Sequence, residues 1–370
     1  MKRTTTVVSR NVKKQFIITL MTLPLFLSLV GLIFVFEASA VKSFSEVGDS
    51  FHYLKLQIGW ITAGLIAMFL LSFFDYHQFY YLSFLLIITT ISLLFLVLLP
   101  GIGSKIGGAR RWIDLGFFNL QPTEVAKFSV IIYLSSWFIN RERKRFFSFI
   151  ILIGLLMFLI ILQPDMGTAS IIFLLSIVIY FLAGNELHYL FLLLPAAFAG
   201  SLVLVKVSPY RFKRLLAFFD PKLDPLGITY HINQILISLS NGGLFGQGFG
   251  ASRQKFLFLP EAHTDSIFAI IGEEIGFIGC TILICLFIYF LYRLYLVTQA
   301  APDRFGRLLA GGIFGYFSLQ IIINLASMVN LMPLTGVPLP FISYGGSNLL
   351  VSFALIGIII NIAKKTKTTF

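Results

Sequence analysis

The stretch RQKFLFLPEAHTDSIFAIIGEEIGFIG, Arg253 to Gly279, carries the longest polar loop of the chain into a long apolar run. Glu261, His263, Thr264 and Asp265 stand beside the hydrophobic segment that starts at Ser266, and Glu273 and Glu274 lie inside it. In a membrane helix, ionisable groups at the edge or in the body are costly, so each one needs a reason to be there. Asp265 has two such reasons. It can cap the helix, because Asp accepts hydrogen bonds from the first free backbone N–H groups. It can equally be a catalytic carboxylate held at a membrane surface.

Composition supports the membrane reading. The 370 residues are 58% hydrophobic and 12% charged, with 41 Phe, and mean hydropathy is +0.91. Soluble domains carry about 25% charged residues. The apolar runs are continuous, at the length a helix needs to cross ~30 Å of hydrocarbon, and do not alternate as barrel strands would. The sequence therefore predicts an all-α polytopic membrane protein of about ten transmembrane helices. The spans are 15–36, 54–74, 79–99, 122–141, 146–162, 168–183, 187–205, 265–295, 308–330 and one ending at Ala363. Residues 1–14 and 364–370 read as tails, and 15–363 as a single membrane domain. The two cysteines, Cys280 and Cys285, fall within one apolar run and face different ways on a helix, so they read as packing residues. No zinc, HExxH or P-loop pattern occurs.

Lys2, Arg3, Arg10, Lys13 and Lys14 precede the first span, and Lys364, Lys365 and Lys367 follow the last. By the positive-inside rule both chain ends are cytoplasmic, and the long loop 206–264 between helices 7 and 8 is extracytoplasmic. The net charge of +12 is what inner loops give any membrane protein. Its distribution is less ordinary, because basic residues also cluster in two outer loops, 101–121 and 206–264. Arg110, Arg111, Arg211, Lys213, Arg214, Arg253 and Lys255 supply the forks and point charges that suit phosphate. Charge balance with Asp114, Asp220, Asp224 and Glu261 is the simpler account of the same loops. Glu124 and Lys127 are three apart and share a helix face, so they pair with each other or with groups on span eight. In SYGGS, 343–347, glycines at a helix start let backbone N–H groups approach an anion, or simply shape a turn. Gly272 and Gly276 form a GxxxG spacing for close helix packing.

The stretches GARRWIDLG (108–116), QPTEVAK (121–127), QPDMGTA (163–169), PYRFKRLLAFFDPKLDPLG (209–227), QKFLFLPEAHTDSIFAIIGEEIG (254–276) and PLPFISYGGS (338–347) resemble the shape, elongation, division and sporulation (SEDS) family across almost the whole chain. The wording around Ala262 is similar to the FtsW-like division branch more than the RodA-like elongation branch. The resemblance implies a ten-helix peptidoglycan glycosyltransferase that polymerises lipid II outside the cytoplasmic membrane, at the division septum. Its implied partners are a class B penicillin-binding protein transpeptidase and other divisome proteins, not nucleic acid. The family's essential Asp falls on Asp265, and its intramembrane Glu and Lys match Glu124 and Lys127. Ser266 stands where the family often has Phe.

Chemistry and resemblance agree. Transfer from a pyrophosphate donor needs a base for the acceptor hydroxyl and positive charge on the leaving group, but no acid. Asp265 suits the base, with Glu124, Lys127, Glu261 and His263 in support. Arg110, Arg111, Arg211, Arg214, Arg253, Lys255, Ser343, Tyr344, Gly345, Gly346 and Ser347 are the expected substrate-binding residues. No resident cofactor is implied, although a divalent cation, Mg or Mn, is compatible with the leaving group. Two rivals fit parts of the pattern. A lipid II flippase would use buried charges and paired interrupted helices, and a divisome scaffold would use the loop charges without an essential carboxylate.

Overall fold

The computed structural model describes residues 2–106, 109–116, 118–139, 146–186 and 188–366. The basic group Arg141, Arg143, Lys144 and Arg145, and Lys367, lie outside them. The chain is mostly helical: α1 Lys2–Val47, α2 His52–Phe73, α3 Gln78–Leu96, α4 Pro122–Trp137, α5 Phe146–Leu162, α6 Met166–Leu182, α7 His188–Val207, α8 Pro209–Phe219, α9 Tyr230–Gly242, α10 Ile267–Ala300, α11 Arg304–Met328 and α12 Gly346–Lys365. Among the described residues seven of these are long and apolar enough to cross a membrane, and α5 and α6 are shorter apolar helices. This is a polytopic membrane protein.

The packing is that of a lipid-solvated bundle. Helices α2 and α3 turn Phe69, Leu70, Phe73, Phe84 and Leu85 outward and bury Gln57, Ser72, Ser83 and Thr90. Thr90 Oγ1 reaches Ser129 Oγ on α4 at 2.7 Å. Lipid is as apolar as Leu, so large side chains lose nothing by facing it, whereas small and polar ones gain by meeting a neighbour. A Cβ on Gly64 would lie 2.5 Å from the Phe353 ring, and one on Gly357 would lie 2.6 Å from the Met68 carbonyl oxygen. Glycine thus lets α2 and α12 approach backbone to backbone. Lys13 Nζ donates to the Lys364 and Thr366 carbonyls at 2.8 and 2.7 Å, so both chain ends share one end of the bundle.

Four expectations are corrected. The fold is not purely helical: Gly103–Ile106, Ala109–Asp114 and Asn119–Leu120 form a small antiparallel sheet, β1-β2-β3. Helix α1 runs from Lys2 to Val47, because nothing after Phe36 breaks it until Gly48, so the helix is longer than the 15–36 span. The 206–264 loop is partly helical. It contains α9 and also the basic amphipathic α8.

The fourth correction concerns Gly276, which is not on a helical GxxxG face. It has φ 67° and ψ −170°, and it breaks α10. The turn after α9 enters the gap. The N–H groups of Gln247 and Gly248 donate to the carbonyls of Glu273 and Glu274 at 2.9 and 3.1 Å. The N–H groups of Phe277 and Ile278 donate to the carbonyls of Gly243 and Leu244 at 2.9 and 3.1 Å. Four backbone groups beside the break thus find partners in the turn, as a low-dielectric surrounding demands. A Cβ at 276 would stand 2.2 Å from Gly246 N. Gly276→Ala is expected to cost about 2–5 kcal/mol from backbone strain and overpacking, read as a fall in melting temperature in detergent.

Candidate active site

At the end of the bundle away from the chain termini, three connections converge. The first is the 260–266 segment leading into α10. Thr264 N and Ser266 N both donate to the Glu261 carbonyl at 3.2 Å, folding the segment into a tight turn. The second is the α11–α12 connection. Asn324 Nδ2 on α11 donates to the Asp265 carbonyl at 2.9 Å and to the Val337 carbonyl at 2.8 Å, locking the two segments together. Tyr344 N donates to the His263 carbonyl at 2.9 Å. The third is the α5–α6 turn, which packs so closely that a Cβ on Gly167 would lie 2.4 Å from the Thr335 carbonyl oxygen.

Asp265 sits at this junction, only 8% exposed. Helix α10 begins at Ile267 with Ser266 as its cap residue, so Asp265 is not the helix cap. Among the described residues its carboxylate accepts a side-chain hydrogen bond from Thr264 Oγ1 at 3.2 Å. Gly336 lies over Oδ2, and even an added Cβ would remain 3.6 Å away. Burial, with Glu261 nearby, raises the Asp265 carboxyl to about 6, and Arg214 opposes the rise. A carboxylate moved this way is poised to exchange a proton near neutral pH.

Beside Asp265 opens a cleft of about 640 Å³ between α8, α9 and the segment after α11. Lys213, Arg214 and His231 line it together with apolar Phe218, Ile232 and Leu334. Arg214 Nη1 donates to the Leu334 carbonyl at 2.9 Å, so this guanidinium is fixed between the cleft and Asp265. Asp265 is not itself on the cleft wall.

The remaining expected site residues divide by location. Glu261 is exposed and accepts from Thr264 Oγ1 at 2.9 Å. His263 is buried between the Tyr53 and Tyr344 rings, at centroid distances of 4.8 and 5.6 Å. Burial and Lys42 lower its imidazole to about 4. Glu124 and Lys127 pair with each other at 2.6 Å, nearly sealed from solvent. Asn348 Nδ2 on α12 donates to Glu124 Oε2 at 3.0 Å, and Lys127 lies over the Tyr316 ring. Neither residue bonds to Asp265 or to α10; their partners are on α11 and α12.

Several expected phosphate ligands are occupied. Arg111 clamps the α5–α6 turn through the Gln163 and Pro164 carbonyls at 3.0 and 2.5 Å. Arg211 reaches the Ile161 carbonyl at 3.2 Å. Lys255 is buried with Glu37 and Glu274 at 2.6 and 3.2 Å. Arg110 stands on the sheet opposite Lys105, and Arg253 is exposed. In SYGGS, Ser343 Oγ accepts from Leu339 N, Ser347 Oγ from Gln121 N, and Gly345 caps α12. A Cβ on Gly346 would overlap the Trp60 ring. Gly346 thus serves close packing against α2. Among the described residues no three carboxylate, imidazole or thiol groups converge as a metal cage. Sequence reading missed Asn324 and His231, because each meets Asp265's segment only through the fold.

Fold and site together define a polytopic membrane protein with a buried carboxylate beside a cleft lined by Lys213, Arg214 and Asp224 at one end of its bundle. The chain belongs to the FtsW/RodA/SpoVE family of cell cycle proteins, whose model matches residues 17–368. It is 40% identical to stage V sporulation protein E of Bacillus subtilis (strain 168), over 94% of this chain and 97% of that one. It is 37% identical to the probable peptidoglycan glycosyltransferase FtsW of Geobacter sp. (strain M18), over 97% and 99%. Among solved structures, a chain from a peptidoglycan synthase complex, determined for its coordination of polymerization and crosslinking, aligns with TM-score 0.76 at 29% identity, covering 93% of this chain and 96% of that one. Rod shape determining protein RodA of Thermus thermophilus aligns with TM-score 0.69 at 27% identity, covering 94% and 97%.

Proposed function

We propose that this protein is a peptidoglycan glycosyltransferase that polymerises lipid II, with Asp265 as general base. The observation that carries the assignment is a buried carboxylate, raised to about 6, next to a cleft holding Lys213 and Arg214. Asp265 takes the proton of the acceptor sugar hydroxyl. The freed oxygen forms a bond to the donor's anomeric carbon from the face opposite the leaving group. The bond from that carbon to the pyrophosphate oxygen breaks, and the lipid pyrophosphate departs as an anion that needs no proton. Lys213 and Arg214 hold that negative charge where it develops, which is where fixed cations lower a barrier most. Apolar cleft residues accommodate the lipid.

On this reading the ten apolar segments span the cytoplasmic membrane with both chain ends inside and the site outside, working at the septum. The shared position of the chain ends supports an even number of crossings. The partner is a class B penicillin-binding protein, as the crosslinking complex among the structural neighbours supports. Transport would favour interrupted helices in pairs; among the described residues α10 is the one helix with a recorded non-helical residue inside it.

The base must be ionised to act, so polymerisation is expected to rise with pH through about 6 and then level off. A rate profile between about pH 4.5 and about pH 8 checks this. A rate flat across that range would remove Asp265 from the base role.

A further inference from the structure

We propose that His231 is a positioning residue, which fixes the Asp265 segment from helix α9 through the Ser266 hydroxyl. The inference rests on Asp265 being the base. His231 Nε2 lies 2.8 Å from Ser266 Oγ, the residue next to Asp265. Burial, with Arg214 nearby, lowers this imidazole to about 4, so at neutral pH the ring is uncharged. A neutral ring with its N–H on Nδ1 accepts the Ser266 hydroxyl on Nε2. One side chain on α9 thus holds the end of the turn next to Asp265.

The rest of α9 explains why this grip is rigid. Residues seven and ten positions further along the same helix bond α10 itself: Ser238 Oγ and Asn241 Nδ2 donate to Glu273 at 3.2 and 3.4 Å. Helix α9 is therefore anchored to the body of α10 at one end and holds the approach to Asp265 at the other. Ser266 is fully buried. Without His231 its hydroxyl would lose its side-chain partner, and the turn would keep its backbone bonds but not its tether to the cleft wall. The group being positioned acts in the transition state, so the loss should fall on kcat and leave KM in place.

The test is polymerisation of lipid II in the complex with its transpeptidase, measuring kcat and KM for His231→Leu, His231→Gln, Ser266→Ala, each with Ser266→Ala combined, and Asp265→Asn as reference. His231→Leu and Ser266→Ala are each expected to lower kcat about tenfold, the size of one neutral hydrogen bond, with KM unchanged. The Leu double variant should be no slower than either single one. His231→Gln, which keeps a donor and an acceptor, should retain most of the rate. Multiplying losses in the double variant, a rise in KM alone, or wild-type kcat in Ser266→Ala would overturn the proposal. Should His231→Leu fail to fold, the Gln and Ala variants still decide, because Ser266→Ala must slow the enzyme. An active Asp265→Asn would instead overturn the base assignment on which the inference rests.

Discussion

Asp265→Asn is expected to abolish glycan polymerisation while leaving the protein folded, and more stable at neutral pH than the parent. The amide keeps the size of the side chain and its contact with Thr264 but cannot accept the acceptor's proton. General-base contributions run at about a hundredfold to ten-thousandfold, so product should fall at least about a hundredfold. The stability change has the opposite sign. In the fold the Asp265 carboxyl is raised to about 6 from the ordinary Asp value of 3.8, so the native state binds its proton more tightly than the unfolded chain. The penalty of ionising it is absent below about pH 4, grows as pH rises toward 6, and is complete above. Asn carries no such penalty and should gain about 2–3 kcal/mol at neutral pH. Melting in detergent at neutral pH and near pH 4 checks this: the variant should be ahead at the first and level at the second. A variant that is inactive and less stable would make Asp265 a structural residue.

The second large effect concerns Glu124 and Lys127. Their 2.6 Å contact is buried, with side-chain exposures of 3% and 1%. Asn348 completes the shell of Glu124, and the first turns of α4 and α12, whose dipoles favour a negative charge, both meet at this carboxylate. Removing one member leaves the other charge without its counterion, at about 3–5 kcal/mol. Lys127→Met should therefore reduce folded yield and melting temperature strongly. The double variant Glu124→Gln/Lys127→Met removes both charges and should recover most of the loss. Equal stability of the single variant and the parent would show that the pair is not coupled in the fold. Activity of the double variant separates roles: near-normal polymerisation makes the pair structural, and a lost rate in a well-folded protein places it in the reaction.

Much of the bundle was legible because a bilayer imposes length and hydropathy on each span. The spacing of Glu124 and Lys127 put them on one face, and the structure chose their mutual pairing over partners on span eight. What escaped the sequence depended on contacts between distant segments. Gly276 fits a helix-packing spacing equally well, and only the turn at 243–248 shows why it breaks α10. The loop lysine Lys255 looks like a phosphate ligand until Glu37, more than two hundred residues earlier, is found beside it. Helix α8 is amphipathic but only 11 residues long and basic, so it did not stand out beside the long apolar spans. Asp265 could be read as a cap or as a base, and the position of Ser266 at the helix start removed the first choice.

The most direct measurement is turnover of lipid II by the purified protein with its cognate transpeptidase in detergent micelles, where there is no membrane to cross. Glycan strands from the wild type, and none from Asp265→Asn, are the predicted result. No strands from a folded, associated wild-type pair would contradict the account and leave transport or scaffolding as the function.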